Sequence, residues 1–283
     1  MFFASFLTLL IYKCLKISLI CLYLGYYVIN QKNMIRKIVL LLVLSLQFPF
    51  GNGLQAQVPS YIPTNGLVAW WPFNGDAKDE SGNGHDGVIH NAAATTDRYG
   101  KIAKAFDFNK SYIEVQPIVE MNNAMDYTMS GWFLIRNYDP DTAQFLISRG
   151  RDSEDGLAVL IKYDQKLSSV MNGFWSFQQD SKAKVFPGKS WYNFVVSRQG
   201  AKVSLYINGE LDTTAVYASP LASNSEKIHF GTHKWQGAQP NEFAYFFNGK
   251  LDDIAFWNRA LSARKTLSIF KKITPFTSLF RNK

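Results

Sequence analysis

The run W-Y-N-F-V-V-S-R-Q-G-A-K-V-S-L-Y-I-N-G, residues 191–209, decides the fold class. Val203, Leu205 and Ile207 alternate with Ser204, Tyr206 and Asn208. A period of two puts one set on each face of a pleated strand. Trp191 to Arg198 reads as the preceding strand, with Gln199-Gly200 as the reversal. Asn208-Gly209 starts a second reversal, since a type I′ turn needs two residues that tolerate left-handed backbone. The run predicts an antiparallel hairpin.

The same pattern extends in both directions. Short apolar or alternating runs recur at Gly66–Trp71, Ala105–Phe108, Tyr112–Val115, Met129–Ile135, Gln144–Ser148, Leu157–Tyr163, Gly173–Gln178, Lys227–Gly231 and Lys250–Trp257. Helical spacing is confined to Ser262–Lys272. Strands at this spacing, punctuated by Gly, Asn and Asp, predict an antiparallel sandwich or barrel. No linker or repeat divides residues 61–272, so they read as one domain. Aromatic residues make up 15% and charged residues 18%, a balance that excludes a disordered chain.

The net charge of +8 is unevenly placed. Residues 1–56 carry Lys13, Lys16, Lys32, Arg36 and Lys37 and no acidic residue. The remainder has 25 basic and 22 acidic residues, with no basic stripe, so nucleic acid is not an expected partner. Both cysteines, Cys14 and Cys21, lie in the same N-terminal stretch, so no thiol chemistry is expected of the domain. Met34-Ile35-Arg36-Lys37, the apolar run Ile38–Leu46 and Leu54-Gln55-Ala56 read as a signal peptide over 34–56. Residues 1–33 read as an upstream extension or as a membrane helix at 2–29. Lys13 and Lys16 near its middle count against the helix. Residues 57–272 are then the exported domain, secreted or held in the cell envelope. Residues 273–283 form a tail, and membrane contact is expected only through an uncleaved N-terminus.

The loop Phe73–Gly87, F-N-G-D-A-K-D-E-S-G-N-G-H-D-G, follows the apolar Leu67–Trp71. Asp76, Asp79, Glu80 and Asp86 crowd it with oxygen atoms. Two readings fit. One is a solvated turn, since Gly, Asp and Asn are ordinary turn residues. The other is a loop curled around a hard cation such as Ca²⁺, which takes roughly 6–8 oxygen ligands.

Four stretches in order carry a resemblance. They are Gly66–Gly75 (G-L-V-A-W-W-P-F-N-G) with Asp79–Gly84, Tyr127–Phe133 (Y-T-M-S-G-W-F), Trp191–Gly209, and Phe247–Ser262 (F-N-G-K-L-D-D-I-A-F-W-N-R-A-L-S). Together they resemble the LamG-like (laminin G-like family 3) jelly-roll domain of the concanavalin A-like lectin/glucanase superfamily, in the exported form of Bacteroidetes-type bacteria. The resemblance implies an all-β, antiparallel two-sheet β-sandwich after an N-terminal signal segment, with first and last strands adjacent. It also implies a structural calcium held by Asp76, Asp79, Ser81 and one of Asp252 or Asp253. Strict alternation puts Asp252 with Ile254 and Phe256, and Asp253 with Leu251 and Ala255.

The glucanases of that superfamily place paired carboxylates on one strand, as E-x-D-x-E or E-x-D-x-x-E. No such strand is present, Glu114 has no partner at that spacing, and G-x-S-x-G, P-loop and H-E-x-x-H motifs are absent. The expected function is a non-catalytic, lectin-like carbohydrate-binding module. The alternative is a structural or adhesive module that binds a cell-surface protein, and a glycoside hydrolase ranks behind both. Trp235, Gln236 and Trp175 are the candidate sugar contacts, each Trp standing against the alternative of a core position. His229 and His233, four apart, are a weaker candidate for a transition metal.

Overall fold

The hairpin forms as read. Tyr192–Gln199 and Lys202–Ile207 pair antiparallel from Phe194 opposite Ile207 to Gln199 opposite Lys202. Val203, Leu205 and Ile207 enter the core, and Asn208 and Gly209 have φ of 52° and 78°. This computed structural model describes residues 15–17, 58–150, 155–173, 176–188, 190–234 and 243–273. The chain divides into two compact units, Met1–Leu54 and Gln55–Lys283. The signal-peptide and extension readings, Trp175, Trp235, Gln236 and residues 274–283 lie outside the described residues. Among the described residues, no helix is long and apolar enough to cross a membrane.

In chain order the second unit contains β1 (Leu67–Trp71), β2 (Gly87–His90), β3 (Ala93–Thr95), β4 (Ala105–Phe108), β5 (Tyr112–Val115) and β6 (Tyr127–Ile135). Then follow β7 (Gln144–Arg149), β8 (Leu157–Ile161), β9 (Lys166–Met171), β10 (Phe177–Lys184), β11 (Tyr192–Gln199), β12 (Lys202–Ile207) and β13 (Glu210–Val216). The last elements are β14 (Ile228–Phe230), β15 (His233–Lys234), β16 (Phe243–Ala244), β17 (Gly249–Trp257) and helix α1 (Ala263–Ile273). One sheet has the order β13-β12-β11-β6-β17-β4-β3, with β1 also on β17. The other runs β10-β9-β8-β7-β14-β5-β2, and β15 pairs with β16. The ladders are antiparallel throughout, and the first strand pairs with the last.

The sandwich core is aromatic. Trp71 meets Phe230 and Phe256 edge-on at 4.9 and 5.4 Å, a favoured geometry for ring quadrupoles. A second apolar layer covers the outer face of the first sheet. There Trp70, Trp132, Ala255 and Trp257 pack with Ile62 from the entering chain and Ile269 from α1. One flank of the sandwich is closed by Asp212 of β13, whose carboxylate accepts the backbone N–H groups of Lys182 and Ala183 on β10. A charge placed on an edge strand also discourages pairing with another chain.

Gly249 opens β17 where the backbone of β6 comes closest. A Cβ there would lie 2.1 Å from the Leu134 carbonyl oxygen and 2.5 Å from the Phe247 ring. Backbone cannot yield as a flexible side chain does. Gly249→Ala is therefore expected to lose roughly 1–3 kcal/mol, the range for overpacking, read as a lower urea midpoint at unchanged m-value.

Candidate functional site

The oxygen-rich loop is an edge cap for β1. Asp79 is buried and takes three backbone N–H groups, from Trp70 (2.9 Å), Ser81 (2.9 Å) and His85 (3.0 Å). The Glu80 N–H donates to the Trp70 carbonyl at 2.8 Å. The Ser81 hydroxyl and the Asn83 amide both donate to the Val68 carbonyl. A strand edge with no partner strand must satisfy its N–H and C=O groups in some other way, and these side chains do so. Asp76 is half-exposed, with the Lys78 N–H as a donor at 3.2 Å.

The late acidic pair is turned by a β-bulge that alternation does not foresee. The register of β17 on β6 runs from Asp252 opposite Trp132 to Ala255 opposite Ser130, so two residues oppose Gly131 alone. Asp253 takes the left-handed φ of 48° that such an insertion allows. Leu251 and Ile254 therefore both face the sandwich core, while both carboxylates point into the outer layer. This corrects the expectation that only one of the two Asp could face a partner.

That partner is Arg98, from the turn between β3 and β4. Its guanidinium forks onto Asp252 and, at 2.6 Å, onto Asp253. It lies 4.5 Å from the centre of the Trp132 ring and 4.9 Å from that of Tyr99. The Trp70 indole N–H donates to Asp253 at 3.1 Å, and the Tyr61 hydroxyl reaches the same carboxylate at 3.5 Å. Burial, then the neighbouring Asp253 charge, push the Asp252 carboxyl well above the usual range in spite of Arg98. Burial likewise raises the Tyr61 phenol.

The residues expected to hold calcium meet other partners here. Asp79 is spent on backbone donors and the late pair on a guanidinium. Among the described residues, no group of three or more His, Cys, Asp or Glu is placed to hold a metal ion. His229 faces Glu114 at 3.6 Å, while His233 stacks on Phe145 at 4.4 Å, so the two histidines serve different neighbours. Adjacent buried carboxylates did require a cation, and Arg98 supplies it. The signal for it was a basic residue in the D-R-Y-G turn, where the Asp97 carboxylate caps the N–H groups of Tyr99 and Lys101.

Glu114 sits on the outer face of the second sheet. Lys227 donates to it at 2.6 Å, and Tyr112, His90 and Phe243 stack beside it. Burial is the largest single influence and works against its charge, but the Lys227 hydrogen bond together with the Lys227, His229 and His90 charges holds it below the ordinary carboxylate value. Burial lowers His229 to about 4, more than the nearby Glu114 raises it.

A cleft of about 380 Å³ opens where β4, β6 and β17 turn. Its walls are the β4–β5 turn with Asn109 and Lys110, the β6–β7 loop from Asn137 to Thr142, and Tyr245 to Asn248 ahead of β17. Half-buried Tyr138, Tyr245 and Phe246 line it beside the amides of Asn109, Asn137 and Asn248. Gln144 braces the walls. Its amide donates to the Asn137 carbonyl and its oxygen accepts the Asn248 N–H, both at 2.9 Å. Arg136 adds a second tie, from Nη1 to the Asn248 side chain at 2.9 Å, with its other arm on Asp107. Lys110 and Tyr245 both have left-handed backbone, with φ of 51° and 57°. None of these residues was singled out from sequence, because they come from three separate loops.

A family model described as the concanavalin A-like lectin/glucanases superfamily (Laminin_G_3) matches residues 107–265. No curated protein matches the sequence. Among solved structures, domain 4 of AbnA, a GH43 extracellular arabinanase from Geobacillus stearothermophilus in complex with arabinotriose, is similar at 21% identity and TM-score 0.56. That match covers 72% of this chain and 97% of the domain. The binding domain of Paraclostridial Mosquitocidal Protein 1 is similar at 18% identity and TM-score 0.59, over 74% of this chain and 52% of that one. A botulinum neurotoxin type C structure, whose cell entry depends on two ganglioside molecules, is similar at 13% identity and TM-score 0.58, over 75% and 52%. The chain spans about half of these toxin chains, and at such identities the likeness is one of fold.

Proposed function

Since the chain belongs to the concanavalin A-like lectin/glucanases superfamily, we propose that it is an exported, non-catalytic module that binds a glycan in the cleft between Lys110, Tyr138 and Tyr245. One observation carries this reading. Half-buried aromatic rings and several amide side chains converge on a concavity within the usual size of ligand pockets, roughly 300–1,000 Å³. A sugar ring has an apolar face for an aromatic partner and hydroxyls at its rim. Amides supply a donor and an acceptor to such hydroxyls in one group. The arabinotriose complex of one structural relative and the ganglioside dependence of another support a carbohydrate partner. Export is supported by the signal-like segment at 34–56 and by the extracellular arabinanase among the relatives. Calcium plays no part in this reading, because its expected ligands have other partners.

Tyr138→Ala is expected to weaken binding about tenfold or more in a calorimetric titration with the best ligand from a glycan array, equivalent to about 1.4 kcal/mol. A bound glycan whose affinity is the same in that variant would move the site elsewhere. An array with no ligand would remove the carbohydrate reading. The adhesive reading has its own observation, the exposed Val88 and Ile89 on edge strand β2. It becomes the better account if a protein partner is lost on Val88→Lys while glycans never bind.

A further inference from the structure

Among the described residues that line the cleft, Lys110 is the one cation. Lys110 is exposed at the tip of the β4–β5 turn, and among the described residues it makes no ion pair. Its neighbour Arg136 is matched to Asp107 and tied to Asn248, and so is occupied with the wall itself. Lys110 also occupies left-handed backbone, with φ of 51°. Glycine takes that conformation freely and asparagine tolerates it, whereas a lysine carries a Cβ penalty there. A long charged side chain at a place where Gly would be easier marks the side chain itself as useful. An ammonium is a compact point charge with three donors on a flexible stem, suited to a carboxylate or sulfate presented at the edge of a ring.

We propose that Lys110 makes this cleft selective for acidic sugars, taking the carboxylate of a uronic acid or a sulfate ester while Tyr138, Tyr245 and the amides hold the ring. The inference rests on the glycan reading of the cleft and adds its ligand class. Asp139 on the opposing loop is the group that opposes it. Its carboxylate accepts the Asp141 N–H at 2.9 Å, which fixes it on its own loop. The acidic group of the sugar therefore lies at the Lys110 wall, away from Asp139.

The test uses matched pairs of gluco-, galacto- and manno-configured oligosaccharides, each neutral and in its C6-oxidised uronate form, titrated calorimetrically into the whole protein. The uronate members are expected to bind about tenfold or more tighter than their neutral counterparts. That preference is expected to shrink as sodium chloride rises, because an exposed ion pair is screened. It is expected to vanish in Lys110→Gln and to widen in Asp139→Asn. Lys110→Gly is expected to lose the preference without a lower melting temperature, since glycine relieves the backbone, which separates recognition from folding. Equal affinity for both forms, or a preference that survives in Lys110→Gln, overturns the selectivity. Neutral binding that is still lost in Tyr138→Ala then leaves the cleft reading standing. If no member of any pair binds, both the selectivity and the glycan reading fall.

Discussion

Arg98→Ala is expected to cost about 3–5 kcal/mol of folding stability, the usual penalty for removing one partner of a buried ion pair. It would leave Asp252 and Asp253 adjacent, buried and without a cation. For a domain of this size that corresponds to a melting temperature lower by about 6–20 °C. The pH dependence gives the loss a signature. With Arg98 gone, burial and mutual repulsion remain, and both act to raise the folded-state value of Asp252. A carboxyl raised above its unfolded value contributes stability below that unfolded value and loses it as pH rises. The penalty in Arg98→Ala should therefore be largest near neutral pH and should shrink as pH falls toward 3.8, the ordinary aspartate value. Replacing all three groups, as in Arg98→Met with Asp252→Leu and Asp253→Asn, should restore most of the loss, because no unpaired charge remains buried. Asn suits position 253, where φ is 48°. An Arg98→Ala variant that melts with the wild type across pH would remove this account.

The second large effect belongs to His229. Its folded-state value of about 4 lies below the ordinary 6.5, with burial the leading cause. Between those values the unfolded chain holds a proton that the folded one does not. Stability is then complete above about 6.5 and falls as pH drops toward about 4, by on the order of 3 kcal/mol if His229 acts alone. Glu114 and Asp180, both depressed, lose their contributions as pH falls through their own lowered values, a window below that of His229. Asp252 has the opposite sign and offsets part of the slope. The informative quantity is accordingly a difference. Urea midpoints of wild type and His229→Gln should converge as pH falls from 6.5 to 4.5, because the wild type alone loses stability to this group. Parallel slopes in the two proteins would show that His229 does not carry the effect.

Local periodicity makes much of the architecture legible. The alternation at Val203, Leu205 and Ile207, the turn residues Asn208 and Gly209, and the helical spacing after Ser262 each appear as read. The edge strands β2, β3 and β13 did not stand out. Edge strands are exposed on one side or both, so burial does not impose a pattern on them. Asp252 and Asp253 show the same limit inside a central strand. Adjacent carboxylates near a buried face need a cation or donors, but alternation assigned the two to opposite faces. One inserted residue in the register cancels that rule, and nothing local marks where the insertion falls.

The candidate site divides along the same line. The chemistry of Phe73–Gly87 was plain as a row of oxygen atoms, and composition allowed either a turn or a cation loop. Only the folded chain shows that those oxygens face the N–H and C=O groups of β1, and that Arg98, more than 150 residues from Asp252, takes the charge. The cleft is further still from local reading, since Lys110, Tyr138 and Tyr245 meet only because β4, β6 and β17 turn at the same end of the sandwich. Periodicity and turn chemistry are properties of neighbours along the chain, and they determined an antiparallel sandwich or barrel, which the resemblance of four stretches in order narrowed to a two-sheet sandwich. Which charges meet, and which loops share a cavity, depends on register and strand order, and these are set by packing between segments far apart in sequence.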